Sequence, residues 1–219
     1  MVLGNHDFYL LFCAYTKKKL NKFDTFQDIL NASDKDNLLE YLIERPLAIK
    51  YKHSLLVHAG VPPQWSKSDV LMNARMVEQG LRLNSPYEFL NKMFGDFPNE
   101  WSENLSIEDK SRYTINALMR MRFCDKNGKL EFRHKEPNQC PKNYKPWFMH
   151  SNRVMSNQNI FFGHWSSLKD VNVENIYPLD HGCIWGGNLS AYDFTNQEYI
   201  SQNSVEDYED PLLRLTEPS

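Results

Sequence analysis

Three polar side chains with different chemistry follow one another at Asn5, His6 and Asp7, directly after a short apolar run that ends in Gly4. An amide oxygen can bind a metal ion, an imidazole can transfer a proton, and a carboxylate can orient the imidazole. The pattern therefore predicts a metal ligand, a general acid and the group that orients the acid, on the turn that leaves a β-strand.

Two further histidines have a similar context. His58 closes a β-like run before two small residues, and His164 follows Gly163 after another such run. Loops at strand ends in α/β sheets can bring several side chains to one point. With the Asn5 amide oxygen, this pair would make a mixed nitrogen and oxygen ligand set, which suits Mn²⁺, Fe²⁺, Co²⁺ or Zn²⁺. Each histidine taken alone is better explained as a hydrogen-bonded turn residue, so the shared context carries the metal hypothesis.

Hydrophobic periodicity and capping signals indicate the elements that must position these residues. Helices are predicted over residues 7–18, 25–30, 33–44 (capped by Ser33) and most of 66–120, where Ser106 caps the last one. Strands are predicted over residues 47–51, 54–58, 160–163, 176–179, 188–192 and 198–201, with a hairpin over 121–133 and an irregular loop over 134–146. Arg120 and Arg122 flank the start of that hairpin, where strand alternation would place both on one face.

Composition indicates a soluble globular chain. The 219 residues carry 25 basic and 28 acidic side chains, a net charge of −3, and 41% hydrophobic content, enough for one substantial core. The basic run at residues 17–19 is typical of a solvated helix end, so no nucleic-acid partner is expected. The sequence has no export signal and no membrane-length apolar run, and its four cysteines are far apart. We therefore expect a cytoplasmic protein with free thiols and no membrane partner.

The order of the motifs resembles a known superfamily. Gly-Asn-His-Asp, His-Ala-Gly and Gly-His are similar to the third, fourth and fifth motifs of the calcineurin-like metallophosphoesterases. Longer segments resemble one family within it, the bacterial symmetrical bis(5'-nucleosyl)-tetraphosphatases; they are residues 57–65, 94–101, 119–124, 145–148, 162–165 and 179–187. The likeness extends from Val2 to about Tyr199. It implies an α/β fold, which is a metallophosphoesterase β-sandwich flanked by helices. This domain would extend over residues 1–203 and include a largely helical insert at about 66–120. The remaining residues, 204–219, are expected to form an acidic, disordered tail.

The resemblance also implies an activity and a metal centre. Members split diadenosine tetraphosphate into two ADP with water activated by two divalent metal ions, so the expected partner is a dinucleoside polyphosphate substrate. Carried over position by position, Asn5, His58 and His164 would bind the second metal of a Mn, Co, Fe or Zn pair. The oligomeric state and the native metal stay open.

The same resemblance implies roles for the neighbouring polar residues. His6 would protonate the leaving phosphate oxygen, and Asp7 would fix the orientation of that imidazole. Arg120 and Arg122 would bind the polyphosphate through their planar guanidinium groups. Three tryptophans near the motifs could stack on an adenine, but large aromatic side chains are more often core residues, and we interpret them as core: Trp147, Trp165 and Trp185.

Two motifs of the superfamily, Asp-x-His and Gly-Asp-x-x-Asp-Arg-Gly, do not occur in this sequence, in which only residues 1–3 precede Gly4. We therefore expect an N-terminally truncated form of the domain that lacks the ligands of the first metal. Two alternatives to hydrolysis of the dinucleotide stay open. One is an inactive fragment that binds a nucleotide or a partner, and the other is a related phosphoprotein phosphatase.

Overall fold

The computed structural model describes residues 1–22, 24–83, 85–168 and 171–205. Its helices are α1 (Asn5–Thr16), α2 (Gln27–Asn31), α3 (Lys35–Ile43), α4 (Lys67–Leu81), α5 (Pro86–Leu90) and α6 (Ile107–Arg120). Its strands are β1 (Ala48–Tyr51), β2 (Ser54–Val57), β3 (Phe123–Cys124), β4 (Leu130–Glu131), β5 (Lys145–Pro146), β6 (Asn159–Phe162), β7 (Ile176–Pro178), β8 (Asp180–His181), β9 (Asn188–Asp193) and β10 (Glu198–Asn203). The described chain is thus a mixture of helices and sheets.

A four-stranded sheet in the order β1-β2-β6-β7 supports the site. The pair β1 and β2 is antiparallel, as predicted, whereas β2, β6 and β7 are parallel neighbours. Side chains from the central strands, such as Leu55, Val57 and Ile160, are buried in the core. A parallel pair directs the carboxyl ends of both strands to the same edge, so the residues after Val57 and Phe162 come together there.

A second, three-stranded sheet in the order β10-β9-β8 contacts the first through aromatic side chains. Phe161 on β6 lies 4.5 Å from Tyr177 and 4.8 Å from Tyr192 on β9, measured between ring centroids. Phe194, just after β9, lies 4.9 Å from Phe161. These rings fill the space between the two sheets, because aromatic side chains of alternating strand residues project onto a common face.

Helix α6 carries the site candidate Arg120 at its C-terminal end. Its N-cap is Ser106, whose hydroxyl accepts a hydrogen bond from the backbone N–H of Asp109 at 3.1 Å, which confirms the predicted cap. The helix packs against α4, and all its residues from Tyr113 to Met119 are buried. Its last residue, Arg120, therefore emerges from the core at a fixed position.

Several sequence-based expectations are wrong in detail. Residues 1–4 form no strand, and α1 begins at Asn5, so the site motif lies at the start of a helix. The N–H of Leu3 nevertheless donates to Pro46 O at 2.8 Å. Asp34, not Ser33, precedes α3. The loop predicted over 134–146 ends in β5, which pairs with β3 because the neighbouring Trp147 is fully buried and its N–H donates to Arg122 O.

The predicted acidic tail lies outside the described residues from 206 onward. Within the described part, no helix has the length and apolar character needed to cross a membrane. All four cysteines are free, as the sequence predicts.

Candidate functional site

The start of α1 supplies the first site residue. Gly4 is the N-cap, and its backbone N–H donates to the Asp7 carboxylate at 2.9 Å. A Cβ atom at Gly4 would lie only 2.7 Å from His58 Cε1 and Nδ1, so the absence of a side chain lets the imidazole approach the helix start. Asn5 follows as the first helical residue, and His6 is exposed. Among the described residues, no hydrogen bond joins His6 to Asp7.

The two strand-end histidines are held together by the backbone. His58 follows β2, and its carbonyl oxygen accepts a hydrogen bond from Gly163 N at 2.8 Å. His164 has a φ of 66°, in the left-handed region, and Trp165 N donates to Gly163 O across it. This three-residue turn is a strained conformation for a residue with a side chain, and such strain often occurs at functional sites.

Three side-chain atoms converge at this edge. His58 Nε2 lies 2.8 Å and His164 Nδ1 lies 3.0 Å from the same oxygen, Asn5 Oδ1. His164 Nε2 lies 3.1 Å from Arg120 O, an acceptor, so the neutral ring carries its proton there and turns the Nδ1 lone pair toward Asn5. Lone pairs of nitrogen and oxygen that face one another suit a shared cation, and a carbonyl partner on the other ring nitrogen is typical of metal-binding histidines.

Burial keeps both imidazoles neutral. It lowers the pKa of His58 to about 4, with a further contribution from nearby His6. Burial also lowers the pKa of His164 to about 2, and the Arg122 cation adds to that effect. Neutral imidazoles are the form that binds metal ions. The described residues contain no cluster of three or more His, Cys, Asp or Glu side chains placed to hold a metal ion, so the converging set consists of two imidazoles and one amide.

Both predicted arginines contact His164, Arg120 through its carbonyl oxygen and Arg122 through its guanidinium group. Arg120 ends α6 rather than starting a strand, so the expectation of a shared strand face is wrong. Its guanidinium donates to Asn116 Oδ1 at 2.7 Å and to Asp96 Oδ1 at 2.9 Å. Arg122 is half-buried, donates to His164 O at 3.3 Å, and has an Nε atom that is buried without a partner among the described residues. A buried, unpaired guanidinium nitrogen is costly and indicates an anionic ligand.

A cleft lies beside each arginine. The first, of about 370 Å³, has Asn5 and Arg120 in its wall together with apolar side chains such as Phe8 and Tyr9. The second, of about 490 Å³, is lined by Arg122 with residues that include Trp185. Each cleft therefore has one guanidinium group in its wall, and the first also has the metal-ligand candidate Asn5.

Comparison with known proteins identifies the family. The chain is 41% identical over 215 residues to a symmetrical bis(5'-nucleosyl)-tetraphosphatase of Methylococcus capsulatus, in an alignment that covers 97% of this chain and 77% of the relative. It is 44% identical over 215 residues to the protein of the same name from Ralstonia nicotianae, covering 96% of this chain and 76% of that protein. The chain belongs to this family of hydrolases. No family model matches the sequence.

A solved structure supports the fold of this family member. The crystal structure, described as that of a candidate diadenosine tetraphosphatase, aligns with a TM-score of 0.53 and 21% identity over 93% of this chain and 67% of the other. At this identity the likeness concerns the fold alone, which is a mixed α/β arrangement.

The roles of some residues near the site could not be predicted from the sequence. The sequence predicts no role for Asp96 and Asn116, which bind the Arg120 side chain, although segment 94–101 is one of those that resemble the family. Trp147 and Trp165 are buried core residues, as predicted, but Trp185 is 49% exposed and lines the second cleft. It stays outside the core because it lies in a short 3₁₀ helix between two glycines with positive φ.

Proposed function

We propose that this chain hydrolyses diadenosine tetraphosphate symmetrically to two ADP, assisted by a pair of divalent transition-metal ions. The observation that carries the proposal is the convergence of His58 Nε2 and His164 Nδ1 on Asn5 Oδ1. The names of the 41–44% identical relatives support this substrate.

The residues present would hold the second cation of the pair. Asn5, His58 and His164 offer three uncharged donor atoms, which suits Mn²⁺, Co²⁺, Fe²⁺ or Zn²⁺. A divalent cation, when bound, polarises phosphoryl oxygens and supplies an acidified water. The neutral state of both imidazoles, imposed by burial, keeps these donors available throughout the neutral pH range.

Proton transfer would use the helix start. His6 follows the ligand Asn5 directly and is exposed, so its imidazole can reach a phosphate oxygen at the same edge and protonate the departing ADP. Because the Asp7 carboxylate binds Gly4 N, Asp7 would orient His6 by fixing the first turn of α1 that carries it. The positive end of the helix macrodipole at this turn also favours an anionic ligand.

The two arginines would bind the polyphosphate. A dinucleoside tetraphosphate has one nucleoside at each end, and the two clefts would each accept one of them. Arg120 and Arg122 would each contact the phosphates nearest to their own cleft. The unpaired Nε of Arg122 supports this role.

Two finer points belong to the same proposal. We propose that the two sheets joined by Phe161 and its aromatic neighbours are the metallophosphoesterase β-sandwich. The four free cysteines support work in the reducing cytoplasm.

A second candidate follows from the charge of the donor set. Two imidazoles and an amide carry no negative charge to offset a divalent ion, so the affinity of this set alone is expected to be low. A form that binds the nucleotide without turnover would have the same two clefts. It differs from the first proposal in one respect: ADP binding would occur without hydrolysis at any metal concentration.

Product analysis tests the proposal. The purified chain is incubated with diadenosine tetraphosphate and Mn²⁺ or Co²⁺, and the nucleotides are separated by ion-exchange chromatography. The proposal predicts ADP as the only product and a loss of at least about 100-fold in rate for His58→Ala. The control is His53→Ala, an exposed histidine in the β1–β2 turn, which should retain the full rate. AMP with ATP, or hydrolysis of a phosphopeptide instead, would refute the proposal.

A further inference from the structure

Three side chains on one face of α6 contact the same neighbouring segment. Arg112, Asn116 and Arg120 are spaced by four residues, so they share a face of the helix. We call residues 92–97 the cleft-wall segment, because Met93 to Asp96 line the first cleft. Arg112 donates to Lys92 O at 2.9 Å and to Phe97 O at 2.8 Å. The other two side chains bind the middle of the segment.

Asn116 uses both ends of its amide at this contact. Its Nδ2 donates to Gly95 O at 2.9 Å, and its Oδ1 accepts from Arg120 Nη1 at 2.7 Å. The side chain is 1% exposed, so water cannot replace either bond. One buried amide therefore connects the cleft-wall segment to the guanidinium group.

Two further contacts hold the Arg120 guanidinium, although 35% of the side chain stays exposed. Nη2 donates to Asp96 Oδ1 at 2.9 Å, and the group lies 4.5 Å from the centre of the Phe132 ring. Asp96 is itself exposed, and an exposed ion pair holds an arginine only weakly. The buried bond to Asn116 is thus the contact that limits the positions open to the guanidinium.

We propose that Asn116 is a positioning residue for substrate binding: it holds Arg120 and the cleft-wall segment in one arrangement, so that the guanidinium meets the phosphates of a nucleotide bound in the first cleft. This inference rests on the proposed function in one respect, the contact of Arg120 with phosphate. It also assigns a role to the cleft-wall segment, which overlaps with segment 94–101 of the sequence resemblance.

The test is a double-mutant cycle on the full chain with two readouts, steady-state hydrolysis of diadenosine tetraphosphate and calorimetric binding of ADP. A hydrogen bond to a charged group is worth enough for Asn116→Ala to raise KM and the ADP Kd about ten-fold. kcat should stay within about two-fold, because uniform phosphate binding affects KM. In the Arg120→Ala background the same substitution should have no further effect on the ADP Kd.

Two further Asn116 variants separate positioning from folding. Asn116→Asp keeps the oxygen that accepts from Arg120 but loses the donor to Gly95 O, so its ADP Kd should lie between those of the wild type and Asn116→Ala. Asn116→Ser shortens the side chain beyond reach of Arg120 and replaces the alanine variant if that variant does not fold; it should show the same ten-fold loss. The matched control is Thr114→Val, since the only hydrogen-bond partner of the buried Thr114 hydroxyl among the described residues is Lys110 O within α6; this variant should bind ADP as the wild type does.

The outcomes distinguish this inference from the proposed function. Equal losses for Asn116→Ala with and without Arg120, or an unchanged ADP Kd in the single variant, would overturn the positioning role even if hydrolysis is normal. If the wild type binds ADP but does not hydrolyse the dinucleotide, the proposed function is refuted. A loss of ADP binding in Asn116→Ala that disappears in the Arg120→Ala background would still support Asn116 as the positioning residue.

Discussion

Substitution of Gly4 by alanine is expected to damage the site although it replaces none of the proposed ligands. The new Cβ atom would lie 2.7 Å from His58 Cε1 and Nδ1, whereas ordinary contacts begin at 3.4 Å, so the ring must move by roughly 0.7 Å. Such a shift breaks the 2.8 Å contact between His58 and Asn5. Overpacking of this kind costs about 1–3 kcal/mol of stability, and a displacement near 1 Å can lower a catalytic rate about 100-fold.

Gly163→Ala is the matched control at the neighbouring strand end. A Cβ atom there would meet nothing closer than His58 O at 3.6 Å, an ordinary contact, and the backbone N–H that donates to His58 O is retained. Both variants are assayed for ADP release from diadenosine tetraphosphate and for the thermal unfolding midpoint. Gly4→Ala should lose about two orders of magnitude in rate, while Gly163→Ala stays close to the wild type. Equal rates for the two variants would refute the argument that Gly4 serves the approach of His58.

Three other predictions address the anion site, the pH dependence and the helix caps. Arg122→Met should raise KM for the dinucleotide at least about ten-fold without lowering the unfolding midpoint, since the lost cation has an unpaired buried Nε; a lower midpoint with unchanged KM would contradict this. Burial lowers the pKa of His150, whose Nε2 binds Cys124 O, so the native state binds protons less readily than the unfolded state. The free energy of unfolding, measured in urea, should therefore fall as pH drops below about 6.5, and His150→Gln should make that fall less steep; an equally steep fall would show that this histidine is not involved. Ser106→Ala should lower the free energy of unfolding by about 1 kcal/mol, whereas Ser33→Ala, at a position the structure does not use as a cap, should leave it unchanged; equal losses would refute the cap assignment.

The strand-end part of the site could be predicted because its signals are local. The apolar runs that end at Val57 and Phe162 indicate strands, and a histidine just beyond each run lies at the sheet edge if the strands are parallel neighbours. The structure has that arrangement. Asn5 reaches the same point from the start of a helix. The sequence predicts the end of a strand there, because an apolar run of three residues is compatible with either element.

The arginine part could not be predicted because it depends on tertiary packing. The sequence predicts that Arg120 stands at the start of a hairpin. In the structure Arg120 is instead the last residue of α6, a helix whose buried face packs on α4. The partners of that arginine, Asp96 and Asn116, are 24 and 4 residues away, and only the fold brings the former close. A buried asparagine within a helix has no sequence signal that separates a positioning role from a core hydrogen bond.

Pulsed electron paramagnetic resonance of Mn²⁺ added to the full chain measures which nitrogen atoms lie next to the metal ion. It therefore tests whether Asn5, His58 and His164 share one divalent cation. The account predicts hyperfine coupling from two imidazole nitrogens, reduced to one in His58→Ala and unchanged in His53→Ala. Bound Mn²⁺ with water couplings alone, or nitrogen couplings that persist when both His58 and His164 are replaced, would contradict the account.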